Sequence, residues 1–416
     1  MALLGAMIKT LMAALLALGA LALPSQAASF SMKRGLNLDQ WTTWPGEDKW
    51  GDRQAILPYP EWRKFLNDDD LKALKSAGFD FLRMPVDPSP FLSGETLTLR
   101  DDLYASVLDS VRMINRAGLK VIVDMHLIPA GGSRKIGMGE VMDDPKTFDA
   151  YIEMVRTMAR TLAAEDPTKV AFEPMNEPIV DCDGDGTSLW PERQQKLFAA
   201  ARASATKLTL ILTGACYSNA ASLARIDPRA IPDDNIIWTF HSYDPFLLTH
   251  QGATWTGDFI PYVTGLPYPL TAVPRAELDV TLDTIRARIK AEAPWARQNG
   301  LLAYLDEQVA SMDTDEKLLA VMDAPFKTVE AWAKAKGIKP ENITLGEFGM
   351  IRQEYGNAYV MPGQYRAAYV KDMIARAEAH GISWSVWSYG GAFGIVDAFD
   401  GEKAEPDVMD AITSLH

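Results

Sequence analysis

Eight short apolar runs, most of them separated by amphipathic helical stretches, predict an α/β fold: a single (β/α)8 TIM barrel with an extended insertion after strand six. The rival is an open doubly wound sheet. That fold usually places a glycine-rich phosphate loop after its first strand, and this sequence has none there. The 416 residues, 48% hydrophobic and 23% charged, supply ample core; length alone also allows two or three domains, but α/β barrels routinely exceed the usual domain size.

The elements follow in order. Met1 to Lys9 has Lys9 as its only charge, Leu11 to Leu23 is apolar but short for a membrane span, and Pro24-Ser25-Gln26-Ala27 offers a cleavage site after Ala27 or Ala28. Residues 1–28 are therefore expected to be a secretory signal peptide, with an uncleaved anchor as the alternative, and residues 29–416 a single barrel domain, secreted or periplasmic. Strand one, Arg34–Asp39, is followed by Trp41, Trp44 and Trp50, read either as an outer stacking platform or as a packed loop. After strand two, Phe79–Val86, the residues Leu103, Val107, Leu108, Val111 and Ile114 share one helical face. Strand three, Lys120–His126, precedes helical Pro145 to Ala164; strand four, Val170–Glu177, precedes Glu192 to Ala205; strand five is Leu208–Gly214. Between strand six, Asn235–Tyr243, and its helix, Thr314 to Lys336, lie about 70 residues, Pro245 to Asp313. Phe246, Trp255, Phe259, Tyr262, Tyr268, Trp295 and Tyr304 fall in this insertion; most are expected to pack its own small core and the rest to line a cleft. Strand seven, Asn342–Gly349, precedes helical Gly363 to His380, and strand eight is Ser383–Tyr389.

A net charge of −14 disfavours nucleic acid and anionic membrane surfaces as partners, but does not repel a neutral polymer. The two cysteines, Cys182 and Cys216, follow neighbouring strands, so one disulfide is expected in an oxidising compartment, with two free thiols as the alternative.

Barrel strands converge on one mouth at their C-terminal ends, and polar or aromatic residues accumulate there: Arg83, His126, Asn176 and Glu177, His241 and Tyr243, Glu347, and Trp387. Two carboxylates on distant strands suit glycosidic bond cleavage, in which one protonates the leaving oxygen and the other attacks or stabilises the sugar cation. Glu177 is read as acid and then base, and Glu347 as nucleophile, with Arg83 and Tyr243 holding Glu347 ionised. Asn176 is placed to bond a sugar 2-hydroxyl and Trp387 to stack on a pyranose. Glu173 shares strand parity with Glu177 and is expected to be a buried ion-pair partner, with Arg83 the candidate. His126 and His241 lack the spacing of a metal site, so no metal or cofactor is expected. Asp181 to Glu192 has the acidic spacing of a calcium loop, but Ser188 and Pro191 depart from it and a strand precedes it; a solvated loop is the default reading.

Together these positions resemble the family 5 glycoside hydrolases, the cellulase family of the retaining (β/α)8 clan. Phe-Leu-Arg-Met-Pro-Val holds Arg83, Val-Asp-Met-His holds His126, and Met-Asn-Glu-Pro holds Asn176 and Glu177. Phe-His-Ser-Tyr holds His241 and Tyr243, Gly-Glu-Phe-Gly holds Glu347, and Trp-Ser-Val-Trp-Ser-Tyr holds Trp387. The resemblance spans Phe30 to Leu415. It implies a retaining hydrolase acting on a polysaccharide or oligosaccharide, with endo-β-1,4-glucanase the first expectation and no obligate metal. β-1,3-Glucanase, β-mannanase and a glucan transglycosylase are alternatives on the same scaffold. A carbohydrate-binding protein without activity is the remaining one.

Overall fold

The computed structural model describes residues 30–39, 45–57, 66–128, 130, 135–182, 188–399 and 401–415. The leader, Trp41 and Trp44 lie outside the described residues. Eight parallel strands close into a barrel in chain order: β1 Arg34–Asn37, β2 Phe81–Val86, β3 Lys120–Met125, β4 Val170–Glu173, β5 Thr209–Thr213, β6 Ile236–His241, β7 Ile343–Phe348 and β8 Ser383–Val386. Around them run α1 Asp68–Ser76, α2 Arg100–Arg116, α3 Pro145–Leu162, α4 Trp190–Ser204, α5 Arg275–Glu292, α6 Trp295–Ala310, α7 Asp315–Lys336, α8 Gly363–Ala379 and α9 Asp407–Thr413.

All eight expected strands are present, but several stop early. Pro174 has no N–H to offer the ladder, and β4 ends before it. Asn176 and Glu177 therefore stand on the loop beyond β4, as Tyr243 does beyond β6 and Trp387 beyond β8. Arg83, read as a strand end, instead sits inside β2, and its long side chain carries the charge up the barrel axis.

Strand alternation sorts the barrel interior into layers. At the floor Phe81, Ile122, Ala171, Ile211 and Ile237 close on Phe30 and Met32. Gly35 is required here, because the Phe81 ring lies 2.3 Å from where a Cβ would stand. Two residues further along the strands the inward positions turn polar: Asn37, Arg83, Asp124, Glu173, Thr213 and Thr239, none more than 1% exposed. The intervening residues, among them Leu82, Val121, Phe172, Leu210 and Phe240, face the helices. Each contributes about 1.5–3 kcal/mol by leaving water.

The insertion is organised by α5 and α6. Its core is aliphatic: Leu278, Leu282, Ile285 and Ile289 meet Leu301, Leu305 and Val309. These residues at helical spacing fill the seam, so the aromatics are displaced from it. Phe259 and Tyr268 are buried, but Phe246, Trp255, Trp295 and Tyr304 are each at least 42% exposed, contrary to the expectation that most would pack inward. Of the two readings, Trp50 takes the packed loop: it is buried and donates its indole N–H to the Pro45 carbonyl at 2.7 Å. Among the described residues no helix is long and apolar enough to cross a membrane.

Candidate active site

The polar layer is organised by one guanidinium. Arg83 donates from Nε and Nη2 to both oxygens of Glu173, at 2.8 and 3.0 Å, the partner expected from strand parity. Nη1 reaches Glu347 at 2.7 Å and Asn37 at 3.0 Å; Nη2 also reaches Asn176 at 2.6 Å and lies 3.0 Å from Asp124. Burial alone would discharge this arginine, but the charges of Asp124, Glu173 and Glu347 outweigh it and hold its pKa well above the usual value.

Glu347 owes its direction to a bulge. Phe240 pairs with Leu345, but the next residue, His241, pairs with Glu347, so Gly346 is skipped. Phe240 packs outward on Phe326 of α7. Regular alternation would have sent Glu347 outward with Leu345; the slip turns it inward beside His241. Only glycine fits at the skipped position, since a Cβ there would lie 2.4 Å from Thr239 Oγ1. The Glu347 carboxylate then receives Arg83 on one oxygen and the Tyr243 hydroxyl, at 2.9 Å, on the other.

Glu177 has the opposite environment. Burial pushes its pKa up to about 7, and the His126 ring and the Arg83 guanidinium offset only part of this. Its Oε1 lies 2.6 Å from His241 Nδ1. Burial lowers the His241 pKa to about 4, so at neutral pH the imidazole is neutral and the contact is a shared hydrogen. One oxygen of Glu177, one of Glu347 and a ring nitrogen of His241 lie within 4.8 Å of one another. These three groups could meet a cation, but both Glu347 oxygens already accept hydrogen bonds, one from Arg83 and one from Tyr243.

The orientation of Asn176 follows from its neighbours. Asp124 accepts from His126 Nδ1 at 2.8 Å, which leaves Nε2 as acceptor facing the Asn176 amide nitrogen at 3.3 Å. Arg83 fixes the Asn176 oxygen from the other side. Trp387 lies against His126 with ring centroids 5.3 Å apart, leaving its other face to the cleft. All eight residues singled out in the sequence thus converge. Asp124, Asn37 and Ser218 were missed; a carboxylate two residues before His126 on the same strand face was the available signal for Asp124.

Two cavities meet over the carboxylates. One, of about 350 Å³, runs past Trp387, Asp39, Tyr355 and Phe393. The other, of about 950 Å³, runs past Ile128, Ile179, Tyr217, Phe246 and Thr256. His126, Glu177, Tyr243, His250 and Trp255 line both, so the groove is continuous across the carboxylates.

A family model described as Cellulase (glycosyl hydrolase family 5) matches residues 47–393. The chain belongs to glycosyl hydrolase family 5. Endoglucanase C of Acetivibrio thermocellus is 21% identical over 360 residues, 86% of this chain and 91% of that protein. Cellodextrinase A of Ruminococcus flavefaciens is 30% identical over 230 residues, 55% of this chain and 63% of that one. The solved cellulose synthase subunit Z of Clostridioides difficile superposes with a TM-score of 0.63 at 22% identity, covering 92% of this chain and 99% of that one, a likeness of fold.

In this family 5 glycosidase the loops beyond β4 and β5 are tied together. Cys182 and Cys216 form a disulfide with Cα atoms 4.9 Å apart. Cys216 N–H donates to Val180 O and Tyr217 N–H to Pro178 O. Cys216, Tyr217 and Ser218 all have positive φ, between 45° and 58°, a strained run that needs such pinning. Its product is Ser218, whose hydroxyl donates to Asn176 O at 2.8 Å and whose carbonyl accepts from His241 N–H at 2.9 Å. Removing the bridge with Cys182→Ser/Cys216→Ser is expected to cost about 3–4 kcal/mol for a crosslink spanning 34 residues. A fall in kcat of about tenfold should accompany it, from misplaced Asn176 and Glu177. Thermal melts and steady-state kinetics on the same preparations check both.

The acidic loop after Cys182 lies largely outside the described residues, since 183–187 are not described. Asp181 is occupied as an acceptor for Ser188 Oγ and the Leu189 and Trp190 N–H groups, and Glu192 pairs with Lys196 at 2.7 Å.

Proposed function

We propose that this glycosidase is a retaining endo-β-1,4-glucanase, with Glu347 as nucleophile and Glu177 as acid/base. The observation that carries the reading is the pair of carboxyl oxygens within 4.8 Å. Retaining enzymes hold their carboxyls about 5–5.5 Å apart, whereas inverting ones leave about 6.5–9.5 Å for a water. The continuous groove supports cleavage within a chain, and the names of the relatives, an endoglucanase and a cellodextrinase, support a β-1,4-glucan.

In the first step Glu347 attacks the anomeric carbon while Glu177 gives its proton to the departing glycosidic oxygen. The carboxylate becomes a glycosyl ester and loses its charge. The negative charge close to Glu177 is thereby removed while Arg83 remains, which favours the carboxylate form of Glu177. Glu177 can now take a proton from water as that water attacks the ester from the face the leaving group vacated. Asn176, with its oxygen held by Arg83 and one amide hydrogen facing His126, has its second amide hydrogen to offer a sugar 2-hydroxyl. Residues 1–28 would act as a removable leader, and the disulfide fits an oxidising destination.

The test is a panel of soluble β-1,4-glucan, β-1,3-glucan and β-mannan, with products sized by mass spectrometry and the newborn anomer followed by NMR. Short β-1,4 products born as the β-anomer support the proposal. A first-formed α-anomer, or products longer than the substrate, would replace it with inversion or transglycosylation.

A pH dependence follows from Glu177. Catalysis needs its carboxyl protonated in the free enzyme, and burial raises that pKa from 4.5 to about 7. Activity is therefore present below about pH 7 and lost as pH rises through that value. A profile of kcat/KM should show this basic limb, and Glu177→Gln should abolish it.

A further inference from the structure

We propose that the insertion carries a second sugar-binding site, outside the catalytic groove, that holds the continuation of the same β-glucan chain. This rests on the glucanase reading above. A cavity of about 390 Å³ lies between Asp258-Phe259 and the outer face of α6, close in size to the 350 Å³ cavity beside Trp387 that a sugar would enter. Phe259 and Tyr304 meet edge to face at 4.8 Å, and the Tyr304 ring remains 45% exposed. Trp295, at the start of α6, is 88% exposed but does not line this cavity, so the exposed ring of the wall is that of Tyr304. An exposed ring lining a concave surface, backed by a second buried ring, offers a face for a sugar.

The chemistry suits a pyranose. Its C–H face lies on an aromatic ring while its equatorial hydroxyls reach sideways to polar groups. Asp258 and Arg297, paired at 2.6 Å, supply an acceptor and donors with no net charge, which fits a neutral sugar. Gly300 keeps the floor open, with nothing within 4 Å of where a Cβ would stand.

Continuity selects the occupant. Trp255, Thr256 and Gly257 line the larger catalytic cavity, and the next two residues line this one. A single loop is thus a wall of both, and a chain leaving the catalytic groove over the half-exposed Trp255 meets the second site next.

The test compares wild type with Tyr304→Ala and Arg297→Ala, both surface positions lining the cavity, on cellotetraose and on a long soluble β-1,4-glucan. Cellotetraose should be cleaved equally by all three. On the polymer kcat/KM should fall about tenfold, chiefly through KM, the scale of a lost aromatic stacking contact. Equal losses on both substrates, or none on the polymer, overturn the site. Affinity electrophoresis through gels containing the polymer reads binding without turnover. Retardation of wild type that is lost in the variants supports the site even if neither substrate is cleaved, in which case only the glucanase reading fails. Sedimentation showing a wild-type dimer that the variants dissolve would assign the face to a second copy and overturn the proposal.

Discussion

Glu347→Gln is expected to lower kcat on the order of 10⁵–10⁶-fold, the scale of losing a covalent nucleophile, with little change in melting temperature. The amide keeps the volume and still offers an oxygen to Arg83, which keeps Glu173 and Asp124 as anionic partners. What it cannot do is attack an anomeric carbon. Glu177→Gln should behave differently. On unactivated oligosaccharides it should lose about 10²–10⁴-fold, because the leaving oxygen departs without a proton. On an aryl glycoside with a good leaving group, formation of the glycosyl ester needs little protonation and should be far less affected. Azide separates the roles again. With Glu177→Ala it should trap the ester and give a β-glycosyl azide, and with Glu347→Ala it should attack the substrate directly and give the α-anomer. Products of the opposite configuration would exchange the two assignments; full activity of either glutamine variant would reject both.

Much of this site is legible in the amino-acid sequence. Strand order places Arg83, His126, Glu177, His241, Glu347 and Trp387 at one mouth, and parity pairs Glu173 with Arg83. What the sequence does not disclose is local. Alternation extrapolated through β7 turns Glu347 away from the barrel, and only the bulge at Gly346 restores it; skipped residues leave no mark in hydrophobic periodicity. Ser218 stays hidden because its role depends on a left-handed run held by a disulfide, a conformation its residue types do not announce. The insertion misleads for another reason. Aromatic residues read as core material, but which side of a helix faces the seam is decided by the leucines and isoleucines of α5 and α6.

Arg83→Met is expected to destabilise the fold more than any substitution at Glu177 or Glu347. The guanidinium touches three carboxylates, Asp124, Glu173 and Glu347, whose side chains are at most 5% exposed. Removing it leaves buried charges without a cation, a loss of about 3–5 kcal/mol for even one broken pair. The carboxylates respond by binding protons. Burial already raises Asp124 to about 7 and raises Glu173 with the arginine present. Without it both should rise further. An acid whose folded pKa lies above its unfolded value gives stability that is present below the unfolded pKa and lost as pH rises through the folded one. The variant should therefore be most stable in mild acid, and its urea midpoint should fall as pH climbs from about 4 past 7. Adding Asp124→Asn and Glu173→Gln should recover much of the stability by removing two of the stranded charges, yet activity should stay lost, since Glu347 and Asn176 would still lack their common donor. Arg83→Lys isolates that second role: one ammonium keeps a positive charge but cannot bond Glu173, Glu347 and Asn176 together, so the fold should persist while kcat drops about 10²-fold from misplacement alone. Recovery of activity in the triple variant would mean that Arg83 serves only to balance charge.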